Sequence, residues 1–149
     1  MSNSFLGFDH IDLRVKSLSA VEKFYDALLP KLGLTRKKCS HVDTDGEWHE
    51  SSDDKPYNAA EYYEELKSGT AAFFIGVIED PAMRPTATRV AFRVASRADL
   101  DRWERDLVSI GAVHVEPSVE MESYSAIFFD DPAGTRLELC ARRPYAGVQ

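Results

Sequence analysis

The chain has 149 residues, 44% hydrophobic and 29% charged, which is the length of one domain with enough apolar side chains for a buried core. Its net charge of −7 argues against nucleic acid or an anionic membrane as partner, because both need a basic patch, while leaving room for a small anion held by one or two local cations. Two cysteines, Cys39 and Cys140, exclude a disulfide framework and a Cys/His zinc cluster, no apolar run reaches the ~18 residues of a membrane span, and the N-terminus lacks the form of a signal peptide, so a reduced cytoplasmic protein is expected.

His10-Ile-Asp-Leu-Arg-Val15 alternates with period two, which predicts a half-buried strand with Ile11, Leu13 and Val15 inward and His10, Asp12 and Arg14 outward. Ser19-Ala-Val-Glu22 has the form of a capping box, and Val21, Phe24, Tyr25, Leu28, Leu29 and Leu32 follow at helical spacing. The helix should cover the first strand, kink at Pro30 and stop at Gly33. Leu34 to Val42 and about Glu47 to Ser51 read as strands joined through Asp43-Thr-Asp-Gly46, a hairpin signal. Asn58 to Leu66 is ambiguous between a short helix and an irregular arm. Ala71 to Ile78 is an apolar strand, and Glu79 to Pro85 a linker.

Beyond the linker the pattern begins again. A shift of 79 residues lays His10-Ile-Asp-Leu-Arg-Val15 on Arg89-Val-Ala-Phe-Arg-Val94, Val21 on Leu100, Phe24 on Trp103 and Leu28 on Leu107. A second capping box, Ser96 to Asp99, opens the helix of about 97–110. Each half closes on a Gly-Thr pair before its last strand, Gly69-Thr70 and Gly134-Thr135. The second closing strand follows the turn Asp131-Pro-Ala-Gly134 and alternates, with Leu137 and Leu139 on one face and Arg136, Glu138 and Cys140 on the other. Pattern alone leaves Glu138 open between a site carboxylate and a solvated edge-strand residue. The ordered series of matches is an internal duplication of a strand–helix–three-strand unit, about 7–79 and 86–142.

A tandem βαβββ chain whose first half opens on His-Ile-Asp-Leu-Arg-Val and whose second half closes on Asp-Pro-Ala-Gly-Thr-Arg-Leu-Glu-Leu resembles the vicinal oxygen chelate superfamily. That group includes glyoxalase I, extradiol dioxygenases, fosfomycin and bleomycin resistance proteins and methylmalonyl-CoA epimerase. The resemblance implies an α+β fold in which both modules form a curved eight-stranded sheet with the helices on its outer face, and a homodimer. It also implies one divalent metal ion held by the first and last strands of each module, with vicinal oxygens of the substrate on its open positions. Carried over, His10 matches the first ligand and Glu138 the last. Arg89 stands where the second imidazole would be, and four residues past Gly69 lies Phe73. Arginine cannot coordinate a metal, so two of four positions are kept and either no metal or one divalent ion is expected.

Strand parity gathers His10, Asp12, Arg14, Arg89, Arg93, Arg136 and Glu138 on a polar wall, faced by apolar Ala71, Phe73 and Ile75, with Tyr124, Trp48, Tyr62 and Tyr63 open between pocket-lining and core or rim positions. Such a cleft suits a small organic acid or amphiphile. Two classes of function follow. One is a binding protein of the bleomycin-resistance kind that holds a small oxygenated or anionic metabolite in the cup between modules. The other is a lyase, isomerase or dioxygenase in which His10 and Glu138 hold a metal with a further ligand, or serve as base and acid. His41, His49 and His114 are the reserve imidazoles for such a ligand.

Overall fold

The computed structural model describes residues 4–141, so Arg142, the last residue of the second repeat, lies outside the described residues. Among the described residues nine strands and two helices follow in order: β1 (His10–Val15), α1 (Leu18–Lys31), β2 (Arg36–Val42), β3 (Trp48–Glu50), β4 (Ala59–Tyr63), β5 (Phe74–Glu79), β6 (Arg89–Arg93), α2 (Arg97–Ser109), β7 (Val113–Pro117), β8 (Ala126–Asp130) and β9 (Arg136–Cys140). They form two sheets, a five-stranded one in the order β1-β5-β4-β2-β3 and a four-stranded one in the order β6-β9-β8-β7. This is the mixed α+β architecture expected, with the strands divided between two sheets where one curved eight-stranded sheet was expected.

In each sheet the opening strand pairs in parallel with the closing strand, His10 opposite Phe74 and Arg89 opposite Arg136. Such a parallel pair needs a crossover, and the helix after β1 or β6 begins it. The segment left ambiguous in the sequence is strand β4. Ala59 to Tyr62 are all buried, so both faces are covered and the period-two signature is absent.

The chain divides into two compact units, 1–18 with 29–82, and 19–28 with 83–149. The central part of α1 therefore belongs with the second unit. Its Phe24 ring lies 6.4 Å from that of Phe129 on β8, and Tyr25 donates its phenol O–H to Asp131 at 2.8 Å. Val21, Phe24, Tyr25 and Leu28 are buried as the helical spacing requires. In α2 Leu100 and Leu107 are buried and Trp103 is half-buried.

Of the two capping boxes, the second forms and the first does not. Ser96 Oγ accepts the Asp99 amide at 3.2 Å. Helix α1 instead starts two residues earlier than its box, with Ser17 at the N-cap and no capping bond from that side chain. The Leu18 amide is taken at 2.9 Å by Glu79 Oε2 from β5, so a tertiary contact does the capping. At the C-terminal end Pro30 lies inside the last turn, Leu32 is the C-cap, and Gly33 at φ +95° ends the helix in the left-handed conformation.

Candidate functional site

In the first unit the register of β1 with β5 decides which side chains share a face. His10, Asp12 and Arg14 lie beside Phe74, Gly76 and Ile78. The expected apolar partners Ala71, Phe73 and Ile75 are displaced: Ala71 and Phe73 precede the strand, and Ile75 pairs with Ile11 on the opposite, buried face. The cause is loop length. Five positions separate Gly69 from the first residue of β5, whereas two separate Gly134 from the first residue of β9. An odd difference in offset exchanges the two faces. The position equivalent to Glu138 is accordingly Gly76, and no side chain is present there. Phe73 instead gives its amide to Glu64 Oε1 at 3.1 Å.

His10 is held from both sides. Its Nδ1 lies 2.7 Å from Asp9 Oδ2, and its ring stacks on Phe74 with centroids 4.6 Å apart and planes 5° from parallel. The bond to Asp9 raises its pKa above the ordinary 6.5, with smaller contributions from Asp12, Asp9 and Glu61 charge working against desolvation. Asp12 leans over Gly76 so closely that a Cβ there would collide with its Oδ1. On β4, directly opposite Gly76, stands Glu61. Its carboxylate is buried, bonded by the Tyr63 phenol and more weakly by Ser40 Oγ at 3.4 Å. Burial first, and then the bond to Glu61, raises the Tyr63 pKa. Sequence reasoning missed Glu61 because its strand had no alternation to read. Arg14, also exposed, lines a separate cavity of about 760 Å³ with Asp43, Asn58, Glu79 and Asp80.

Histidines 41 and 49 pair directly across the β2–β3 hairpin and both point Nε2 at Asp43, at 3.1 and 2.5 Å. Lys55 Nζ binds the same carboxylate at 3.2 and 3.1 Å, and its bond is the first cause of the lowered Asp43 pKa. These imidazoles brace a hairpin and its neighbouring loop. His114 bonds Asp130 at 2.9 Å.

In the second unit Glu138 sits on an interior strand, not an edge, and is 4% exposed. Tyr124 donates to its Oε1 at 2.6 Å. Ala91 on β6 and Phe128 on β8 flank it in register. The Arg89 guanidinium lies over the Phe128 ring, 4.6 Å from its centroid. One strand, β9, lies between Arg89 on β6 and Phe128 on β8, so the arginine stem crosses β9 beside Glu138. Arg93 and Arg136 project from the same face and are exposed.

The residues at the resembled ligand positions do not fit a metal. They offer one imidazole and one carboxylate, His10 and Glu138, with a permanent cation at Arg89 and no side chain at Gly76, whereas a first-row ion takes three or four protein donors. Among the described residues no three His, Cys, Asp or Glu side chains are grouped to hold an ion. Nor is any helix among them long and apolar enough to cross a membrane.

Comparison with known proteins agrees with this fold. A model of the Glyoxalase/Bleomycin resistance protein/Dioxygenase superfamily matches residues 7–139. The chain belongs to that superfamily. No curated protein sequence matches it. Among solved structures, a glyoxalase/bleomycin resistance protein/dioxygenase domain from Frankia is similar at 20% identity and a TM-score of 0.59, over 94% of this chain and all of that one. A glyoxalase/bleomycin resistance protein from Albidiferax ferrireducens is similar at 20% identity and a TM-score of 0.58, over 91% of this chain and 98% of that one. The fosfomycin resistance protein of Listeria monocytogenes, solved with Mn(II) and sulfate, matches at 20% identity and a TM-score of 0.57, over 95% of this chain and 96% of that one. At these identities the superfamily members share the fold with this chain, and the residues of each site have to be read one by one.

Proposed function

We propose that this chain is a ligand-binding member of the superfamily that takes a small oxygenated or anionic metabolite without a metal held by the superfamily's ligand set. The observation that carries the reading is Arg89. It occupies a position where the resembled site has a ligand, with a charge that repels a metal and attracts an anion, and its guanidinium lies over the Phe128 ring. Glu138 and its bond to Tyr124, with Arg93 and Arg136 on the same face, supply the remaining polarity. In the first unit Asp12 and His10 are the corresponding candidates. Self-association to a homodimer belongs to the same reading, supported by the unpaired edges that β1 and β6 keep within their sheets.

Elemental analysis of protein prepared without a metal-binding tag is the test, paired with thermal shifts. A metal at about 100 times its dissociation constant would add about 2.7 kcal/mol, a rise of several degrees in Tm. The expected outcome is no such rise with zinc, nickel, manganese or iron(II). A second reading is favoured by the Mn(II) in the Listeria structure: a metal-dependent lyase, isomerase or dioxygenase using His10, Glu138 and a further ligand. A stoichiometric metal whose stabilisation disappears in His10→Ala or Glu138→Ala would establish that reading instead.

A further inference from the structure

Arg89 and Arg136 occupy directly paired positions on adjacent parallel strands, and paired residues project to the same face. Neighbouring strands lie only about 4.8 Å apart, and like charges placed opposite one another destabilise a sheet. A third guanidinium, Arg93, follows on the same face of β6, with only the small Ala91 between it and Arg89. Three cations on this face outnumber the two carboxylates beside them, Asp130 and Glu138, and among the described residues neither carboxylate comes within 4.0 Å of these guanidinium groups. Asp130, opposite Arg136 on β8, is bonded by His114 Nδ1 at 2.9 Å. Glu138 is bonded by Tyr124 and lies buried beneath the arginine stem. Among the described residues no ion pair within 4.0 Å engages Arg89, Arg93 or Arg136.

The orientation of Arg89 adds to this. The Arg89 guanidinium lies over the Phe128 ring, and a cation–π contact uses its charge while leaving its N–H donors available to a bidentate acceptor. Arginine forks match carboxylate and phosphonate oxygens in that geometry.

We propose that Arg89 and Arg136 form an oxyanion site on the β6–β9 face, taking a small carboxylate or phosphonate between their guanidinium groups, with Arg93 as flanking cation. The inference rests on the metal-independent reading above and names the ligand class for it. The site replaces a metal ion with fixed guanidinium charge, which binds anionic oxygens and is indifferent to chelators. Glu138 then has a role opposite to that of a ligand to the substrate's metal. It is a buried negative charge close to Arg89 that tempers the site and weakens the anion's hold.

The test is a calorimetric and NMR titration with acetate, methylphosphonate and neutral acetamide, run with and without a chelator. Acetate or methylphosphonate should bind and acetamide should not, and comparing the two anions tells a carboxylate from a phosphonate preference. Arg136→Gln should weaken anion binding by about tenfold or more, as loss of a charge-assisted bidentate contact does. Arg89→Lys, which keeps the charge and loses the fork, should weaken it by a smaller factor. Glu138→Gln should strengthen it by about threefold to tenfold, the size expected for removing a nearby like charge in a partly screened setting. A readout free of ligand accompanies these: Arg136→Gln should raise Tm in anion-free buffer by relieving the like-charge pair. Arg102→Gln on α2 serves as a charge control and should leave the anion titration unchanged.

Anion binding unaffected by Arg136→Gln, or weakened equally by Arg102→Gln, would overturn the proposal. So would weaker binding in Glu138→Gln. Anion binding that disappears with the chelator would assign the ligand to a metal and overturn the metal-independent reading as well. A bound metal together with chelator-insensitive, Arg136-dependent anion binding would overturn that reading alone and leave the oxyanion site standing.

Discussion

Tyr124 donates its phenol O–H to Glu138 Oε1 at 2.6 Å, and the carboxylate it serves is 4% exposed. Among the described residues this is the carboxylate's one hydrogen-bond donor. Removing it by Tyr124→Phe leaves a buried charged acceptor unsatisfied, which costs about 1–3 kcal/mol. For a chain of this size that is a fall in Tm of about 3–10 °C. Urea denaturation of the variant checks it, and an unchanged midpoint would show the bond to be dispensable.

Gly76 is a second point where one residue shapes its neighbours. Its φ is not in the left-handed region, so the backbone accepts alanine, yet a Cβ would collide with the Asp12 carboxylate. Gly76→Ala should therefore destabilise the protein in the native background and displace Asp12. In an Asp12→Ala background the same change should be neutral or should stabilise by about 0.5–1 kcal/mol, because alanine costs less strand entropy than glycine. A double-mutant cycle reads the coupling, about 0.5–3 kcal/mol for groups in contact. Additive effects would refute the close approach.

The His10–Asp9 bond gives a pH prediction with a definite sign. The folded-state pKa is raised above 6.5, chiefly by the Asp9 carboxylate. The stabilisation is thus complete below pH 6.5 and is lost as pH rises through the raised folded value. NMR titration of the His10 ring should give a pKa above 6.5 in the native protein and a lower one in Asp9→Asn. Identical titration curves for the two proteins would rule the bond out.

Asp131 is fully buried and takes three donors: the Tyr25 phenol at 2.8 Å, the Ala133 amide at 2.8 Å and the Thr135 amide at 3.0 Å. It fixes the turn before β9 and ties α1 to that turn. Asp131→Ala removes the acceptor shared by these three donors and should cost about 3–5 kcal/mol, whereas Tyr25→Phe should cost about 1–2 kcal/mol. Equal losses for the two variants would mean that the turn amides contribute nothing.

The sequence by itself determined the fold class, both helices, the hairpin at Asp43 to Gly46, the turn at Asp131 to Gly134 and the superfamily. These rest on local signals: a helical or period-two pattern of apolar residues, turn chemistry, and repetition of both along the chain. His10, Arg89 and Glu138 were legible because each stands at a fixed place in a strand that alternates. Tertiary structure decided what no local signal carries. Strand β4 is covered on both faces, so Glu61 had no pattern to announce it. A loop longer by an odd number of residues before β5 put Gly76 where counting from Gly69 gave Phe73, and a shift of that parity turns every side chain over. Cap choice at α1 fell to Glu79, sixty-one residues away, over a well-placed Ser19-to-Glu22 box. That Arg89 lies over Phe128, with Arg136 beside it and, among the described residues, no ion pair within 4.0 Å to either, follows only once register sets β6 against β9 and β9 against β8. Side-chain charge can be read residue by residue, but which charges meet is a property of the paired strands.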